Sequence, residues 1–103
     1  MPHDPLVIRR WSDIIPALDA HGLEARFVVA EDESVDDAIE IRRVGAGEDE
    51  DLADIQFCDD GCFCGNAWTS EARDARRHGG VHRTVKAAFD DALSLLKRDG
   101  MIS

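Results

Sequence analysis

Three cysteines and two histidines come nearest to a metal-binding pattern in this chain. Cys58, Cys62 and Cys64 follow a Cys-x3-Cys-x-Cys spacing, and His78 and His82 lie four residues apart. Zinc accepts three cysteines and one histidine as ligands. Structural zinc sites, however, use Cys-x2-Cys pairs in tight turns, and this spacing departs from that pattern. We therefore expect no metal and no other cofactor, and reduced thiols that act as small apolar residues in strands.

The same cysteines lack the surroundings of a catalytic nucleophile. A catalytic thiol needs a lowered pKa and a fixed base, whereas Asp59 and Asp60 next to Cys58 would raise the pKa of that thiol. The glycine-rich segments 45–47 and 79–80 lack the following Lys-Ser or Lys-Thr pair that completes a phosphate-binding loop. The sequence therefore predicts a protein that is not an enzyme.

Carboxylates are the side chains whose distribution departs most from the average. The chain has 22 acidic and 12 basic residues, a formal charge of −10. Segment 31–60 has thirteen of the acids and two arginines, so its charge is −11, while the other 73 residues sum to +1. The thirteen are Glu31, Asp32, Glu33, Asp36, Asp37, Glu40, Glu48, Asp49, Glu50, Asp51, Asp54, Asp59 and Asp60. This asymmetry excludes a general DNA- or RNA-binding surface and a basic membrane-binding surface.

The length and the ends of the chain set its organisation. A chain of 103 residues has the length of one domain, and it contains neither a linker nor an internal repeat. We expect a single compact domain over residues 1–103. No apolar run approaches the roughly 20 residues that a membrane span needs, and the first residues do not resemble a secretory leader. We therefore expect a cytoplasmic protein without a membrane span.

Capping residues and apolar spacing predict the helices. Ser12 and Gly22 are suited to begin and end a helix over residues 12–21. Apolar residues at helical spacing predict a second helix over residues 83–98, with Val85, Phe89, Ala92 and Leu96 facing a sheet. We interpret the short apolar run 6–8, which follows Pro5, as a brief strand or an extended lead-in.

Alternating apolar residues predict four strands between these helices. They are expected at residues 25–30, 38–42, 53–58 and 62–68. The arginine-rich segment 69–80 has little apolar content and predicts a loop or one or two helical turns. The order predicts an α+β fold, an antiparallel four-stranded meander with two helices packed on one face (α-β-β-β-β-α).

A three-residue turn between Cys58 and Cys62 fixes the register of the last hairpin. It places Phe57 opposite Phe63 and Gln56 opposite Cys64, and side chains then alternate between the two faces. The face predicted to pack against helices has Ala53, Ile55, Phe57, Phe63, Gly65 and Ala67. The uncovered face has Leu52, Asp54, Gln56, Cys58, Cys62, Cys64, Asn66 and Trp68.

The acidic segment favours binding to a basic surface of a partner protein. Duplex DNA has one phosphate about every 3.4 Å along each strand. Carboxylates at alternate strand positions, about 6.6 Å apart, and on adjoining loops reach a comparable density of charge. We expect the thirteen carboxylates to occupy the basic surface of a nucleic-acid-binding protein, with no direct contact to nucleic acid or membrane, in a monomer or homodimer. A purely solvating role for acidic loops stands beside this hypothesis.

The small size, the α+β order and the acidic blocks 31–33, 36–37, 48–51 and 59–60 resemble small acidic inhibitors encoded by phages and mobile elements. DNA-mimicking anti-CRISPR proteins are one such group, and the resemblance is in charge and size. It implies inhibition of a CRISPR surveillance complex or nuclease by blocking its DNA path, and it assigns no individual binding residue. The alternatives are an immunity protein or antitoxin against a basic nuclease, a small cysteine-based metal or redox sensor, and a housekeeping interaction domain.

Overall fold

A computed structural model describes residues 3–32, 34, 36–47, 49–58 and 60–102. Five strands form one antiparallel sheet in the order β1-β2-β3-β4-β5. The elements in chain order are α1 (Pro5–Arg10), a 3-10 turn (Ser12–Ile14), α2 (Ile15–Ala20), β1 (Leu23–Val28), β2 (Ala38–Arg43), β3 (Asp51–Phe57), β4 (Phe63–Trp68), β5 (Arg76–His82) and α3 (Val85–Arg98). The predicted α+β class and antiparallel sheet are confirmed, whereas the predicted four strands and two helices are wrong, since the described residues form five strands and three α-helices.

The β3–β4 hairpin has the register that its sequence predicts. Phe57 lies opposite Phe63, and Gln56 lies opposite Cys64. The backbone N–H of Cys58 donates to the carbonyl of Cys62 over 2.9 Å, which closes the turn. Gly61 takes a φ of +78° in this turn, a conformation that glycine adopts without steric cost. Because the register is fixed, the hairpin presents one apolar face to the core and one polar face.

Helix α3 lies against β3, β4 and β5, while α1 and α2 lie against β1. The hydroxyl of Thr84 caps α3 by accepting from the N–H of Ala87 at 3.1 Å. The predicted inward phase of α3 is confirmed: its buried residues are Val85, Ala88, Phe89, Ala92, Leu93 and Leu96. A Cβ at Gly65 would lie 2.1 Å from the carbonyl oxygen of Ala88, so only glycine allows α3 to approach β4 this closely.

The prediction of a strand or an extended lead-in at residues 6–8 is wrong, because this segment belongs to α1. Asp4 is the N-cap, and its carboxylate accepts from the N–H of Leu6 at 2.8 Å. Pro5 at the first helical position has the φ that a helix needs. The backbone of Asp4 also pairs with β1, since its N–H donates to the carbonyl of Ala25 over 3.1 Å. The cap therefore starts α1 and covers part of the free edge of the sheet.

The prediction of a loop or helical turns for residues 69–80 is wrong over its second half, which forms β5. The sequence of this strand does not alternate between apolar and polar residues, and two of its arginines form ion pairs. Arg76 donates to Asp54 at 2.6 Å, and Arg77 donates to Asp99 at 2.7 Å. Gly79 has no room for a Cβ, which would lie 2.5 Å from the carbonyl oxygen of Gly65. An edge strand stabilised by ion pairs carries no hydrophobic signature in its sequence.

Leu52 also departs from its predicted position on the uncovered face. It is 2% exposed and belongs to the buried core. The pairing of β2 with β3 slips at this point, since Ile41 lies opposite Ala53 while Arg42 lies opposite Asp51. The bulge adds one residue to β3 and breaks the alternation of faces, so Leu52 packs inward.

Candidate functional site

Two loops bring acidic residues together at one end of the sheet. An antiparallel meander places the β1–β2 loop and the β3–β4 turn at the same end. The contact is direct, because the N–H of Phe57 donates to the carbonyl of Asp37 over 2.9 Å. We call this region the acidic end. Its described carboxylates are Glu31, Asp32, Asp36, Asp37 and Asp60.

The fold organises part of the acidic end and leaves the remainder in solvent. The carboxylate of Asp37 accepts from the N–H of Ala30 at 2.7 Å. Hydrogen bonds from the hydroxyl and the N–H of Ser34 lower the pKa of Asp32. Glu31, Asp36 and Asp60 are exposed.

No ion pair between described residues reaches any carboxylate of the acidic end. Within the part of the chain that the structure describes, no cation in direct contact cancels its negative charge.

The other described acidic residues of segment 31–60 lie elsewhere on the sheet. Asp49 and Glu50 are in the β2–β3 loop and Asp51 begins β3, at the opposite end and about 20 Å away by the rise of a six-residue strand. Glu50 accepts from the N–H of Gly47 at 3.0 Å. Glu33, Glu48 and Asp59 lie outside the described residues. The fold thus divides one acidic stretch of sequence between two ends and the sheet face between them.

Glu40 and Asp54 lie opposite each other on the sheet face away from α3. Burial raises the pKa of Glu40, Asp51 raises it further, and Arg42 and Arg26 lower it. Asp54 accepts from both Arg76 and Asn66, as described below. Asp54 therefore serves contacts within the sheet, and Glu40 lies beside it on the same face.

Asn66 is the centre of a polar network that the sequence did not indicate. It is 1% exposed, and its amide group donates to Asp54 at 2.9 Å and to Gln56 at 3.0 Å. The Nδ1–H of His78 donates to the Asn66 carbonyl oxygen at 2.9 Å, because that oxygen can only accept. The guanidinium of Arg76 lies 5.3 Å from the ring centre of Trp68. The only sign of this network in the sequence was the set of polar residues predicted on the uncovered face of the hairpin, namely Asp54 and Gln56 on one strand and Asn66 on the other.

The cysteines form a pair and a third, separate thiol. The sulfur atoms of Cys58 and Cys64 are 3.7 Å apart on the open face of the hairpin. The hydrogen bond to Cys64 raises the pKa of Cys58 to about 11, with burial and the charges of Asp60 and Asp36 adding to the effect. Cys62 is buried, and this burial and a hydrogen bond with Asp60 raise its pKa. Raised values disfavour the thiolate that a nucleophile or metal ligand needs.

Among the described residues, no cluster of three or more histidine, cysteine or acidic side chains has the arrangement of a metal site.

A cavity of about 360 Å³ lies between the N-terminal segment and the β1–β2 edge. His3 hydrogen-bonds to Asp19 at 2.8 Å, and the Nε atom of Arg42 lies 3.4 Å from a carboxylate oxygen of Glu24. Because the cations and anions around the cavity compensate one another, it offers less charge for a ligand than the acidic end does.

Comparisons with protein-family models, curated proteins and solved structures find no match to this chain. Within the described residues, no helix has the length and apolar character required to cross a membrane.

Proposed function

We propose that this protein is an acidic binding module whose acidic end occupies a basic, nucleic-acid-binding surface of a partner protein. One observation carries the proposal. The acidic end collects five described carboxylates from two loops, and no ion pair of the described residues neutralises them. Asp32 and Asp37 accept local hydrogen bonds, but no described cation offsets the mutual repulsion of the five groups by direct contact.

Charge on short loops held by a sheet has two advantages for binding. The carboxylates are partly preorganised, so association orders fewer side chains than a disordered acidic tail would have to order. Their long-range field attracts a basic partner and speeds the encounter, an effect that salt screens. Both properties suit a module that competes with the phosphates of a nucleic acid.

The finer form of the proposal is a cytoplasmic DNA-mimic inhibitor of the anti-CRISPR type. It is supported by small size, by formal charge and by the concentration of acids in segment 31–60. In this form the acidic end makes the first contact, and the exposed Asp49 and Glu50 at the opposite end extend the surface. The partner is then a CRISPR effector or another nuclease with a basic DNA path.

The experiment compares two variants with equal changes in charge. The first carries Glu31→Gln, Asp36→Asn and Asp60→Asn at the acidic end. The control carries Asp13→Asn, Asp74→Asn and Asp90→Asn, at exposed positions outside segment 31–60. It also removes the exposed i,i+4 ion pair between Lys86 and Asp90, and pairs of this kind contribute only about 0.3–0.5 kcal/mol. Wild type and both variants are immobilised and used to capture nucleic-acid-binding proteins from host lysate over a salt series from roughly 50 to 200 mM.

We expect wild type and the control to capture the same partner, with affinity falling steeply as salt rises, and the acidic-end variant to lose it. Duplex DNA should displace the partner from wild type. If the acidic-end variant binds like wild type, the proposal is wrong. If binding is lost in that variant but DNA does not displace the partner, the protein is an acidic interaction module and not a DNA mimic. Capture of a single toxin-like nuclease would support the immunity-protein alternative.

A further inference from the structure

Two of the three cysteines lie close together on one face of the β3–β4 hairpin. In the β3–β4 register Cys64 lies opposite Gln56, and Cys58 lies two residues beyond Gln56, so both cysteines project from the same face. Their sulfur atoms are 3.7 Å apart. A disulfide bond has an S–S length of about 2 Å, so its formation requires rotation of both side chains and a small approach of the two strand ends next to the turn.

The third cysteine is close in sequence but differs in its surroundings. Cys62 is 7% exposed, and its thiol interacts with Asp60. Cys58 and Cys64 are each partly exposed, so a small oxidant can reach them. The structure therefore distinguishes a Cys58–Cys64 pair from the Cys58–Cys62 pair that spans the turn.

We propose that Cys58 and Cys64 are a modification site at which low-molecular-weight disulfides form a reversible intramolecular disulfide bond. In the first step the thiolate of one cysteine attacks the small disulfide, forms a mixed disulfide and releases one small thiol. In the second step the other thiolate attacks the mixed disulfide and releases the second small thiol. Two protein thiols are oxidised to one disulfide, and one small disulfide is reduced to two thiols.

The raised pKa of Cys58 keeps this thiol protonated at neutral pH, so the resting state is the hydrogen-bonded dithiol. The new bond would join the first residue of the turn to β4, directly below Asp60 and next to the loop that contains Asp36 and Asp37. The site does not depend on the proposed function, but oxidation would stiffen the base of the acidic end.

The test uses the full chain, fully reduced and then equilibrated with oxidised and reduced glutathione at a series of ratios. Free thiols are blocked with an alkylating agent, and intact mass counts the blocked cysteines. Wild type, Cys62→Ala, Cys58→Ala and Cys64→Ala are compared, and Cys62→Ala is the matched control. We expect wild type to lose the mass of two hydrogens and to retain one alkylated thiol, and Cys62→Ala to form the same bond with none left.

The two remaining variants should form only mixed disulfides with glutathione. An intramolecular bond in Cys64→Ala would assign the chemistry to Cys58 and Cys62 and overturn the proposal, as would mixed disulfides alone in wild type. Cleavage of oxidised wild type after Phe63 gives a result that needs no substitution. The fragment that begins at Cys64 should stay linked to the preceding fragment until reductant is added, and its release without reductant contradicts the proposed pair.

Discussion

The acidic side chains of the acidic end and those of the β5–α3 side differ in whether they form ion pairs with described residues. On the β5–α3 side each described acid of the α3 region has a basic partner: Asp90 pairs with Lys86 at 2.6 Å, Asp91 with His82 at 2.8 Å and Asp99 with Arg77 at 2.7 Å. At the acidic end no described carboxylate takes part in an ion pair. One region uses charge to hold an edge strand against a helix, and the other presents charge to solvent.

This difference separates acids that form ion pairs within the fold from acids whose charge is available to a partner, which a count of acids does not. Pairing fixes the orientation of a side chain and shifts its pKa, and removing one partner then affects the fold. Unpaired exposed carboxylates can be neutralised with little effect on the fold, because substitutions at such surface positions usually change stability by about 0.5 kcal/mol or less. An effect on binding without an effect on stability is therefore the signature expected of the acidic end alone.

The largest effect on stability should come from the packing under α3. Phe89 is fully buried, so Phe89→Ala removes apolar contact and leaves a cavity between α3 and the sheet. We expect the free energy of unfolding to fall by about 3–5 kcal/mol, measured by urea denaturation. Ser94→Ala on the exposed side of the same helix is the control. A Phe89 variant as stable as the control would show that the β5–α3 side is not held by this core.

The polar network on the open sheet face should have the next largest effect. Asn66→Ala removes a buried side chain that makes three hydrogen bonds. Its partners Asp54, Gln56 and His78 must then hydrogen-bond to water instead. We expect a loss of about 1–3 kcal/mol in chemical denaturation. Gln56→Ala removes one of these bonds and should cost less. Equal losses in the two variants would mean that Asn66 does not organise the network.

The smallest effect on stability should come from an acid in an ion pair. This effect can be compared directly with that of removing unpaired acids. The hydrogen bond from Arg77 lowers the pKa of Asp99 below its ordinary value of 3.8. The ion pair therefore stabilises the folded state above about pH 3.8, and this stability is lost as pH falls through the lowered pKa. Asp99→Asn should unfold at lower denaturant than wild type at neutral pH, and the difference should disappear in acid.

The acidic-end variant with Glu31→Gln, Asp36→Asn and Asp60→Asn is the comparison for Asp99→Asn. It should be as stable as wild type at neutral pH, or slightly more stable, because it removes like charges from neighbouring loops. If it loses as much stability as Asp99→Asn, the acids of the two regions have the same structural role and the distinction between them fails.

Local signals in the sequence were sufficient where one element determines its own structure. The inward face of α3 followed from apolar spacing, and the β3–β4 register followed from the short turn after Cys58. The N-terminal helix had a local signal as well, since Asp4 followed by Pro5 is a helix start, but a short apolar run after a proline resembles a strand equally well. The apolar run 6–8 predicted a strand or an extended lead-in, whereas the capping residues Asp4 and Pro5 favour the helix that forms.

Pairing across the fold could not be determined from the sequence. β5 is a strand because it pairs with β4, and its Arg76 and Arg77 form ion pairs with Asp54 and Asp99, which are distant in sequence. In isolation the segment has no apolar alternation, so it predicts a loop or one or two helical turns. The inward turn of Leu52 likewise depends on a bulge between two strands, and the bulge appears only once they pair.

The amino-acid sequence by itself determined that the protein is strongly acidic, that its acids are concentrated in segment 31–60 and that it folds as α+β. These properties depend on composition and local periodicity. Only the tertiary structure decided which acids lie together and which are neutralised. The antiparallel order places two loops at one end and a third loop at the other, and the partners of Asp54 and Asp99 come from a strand far along the chain. The formal charge of the protein depends only on its residue types, whereas the electrostatic field at its surface depends on where the fold places those residues.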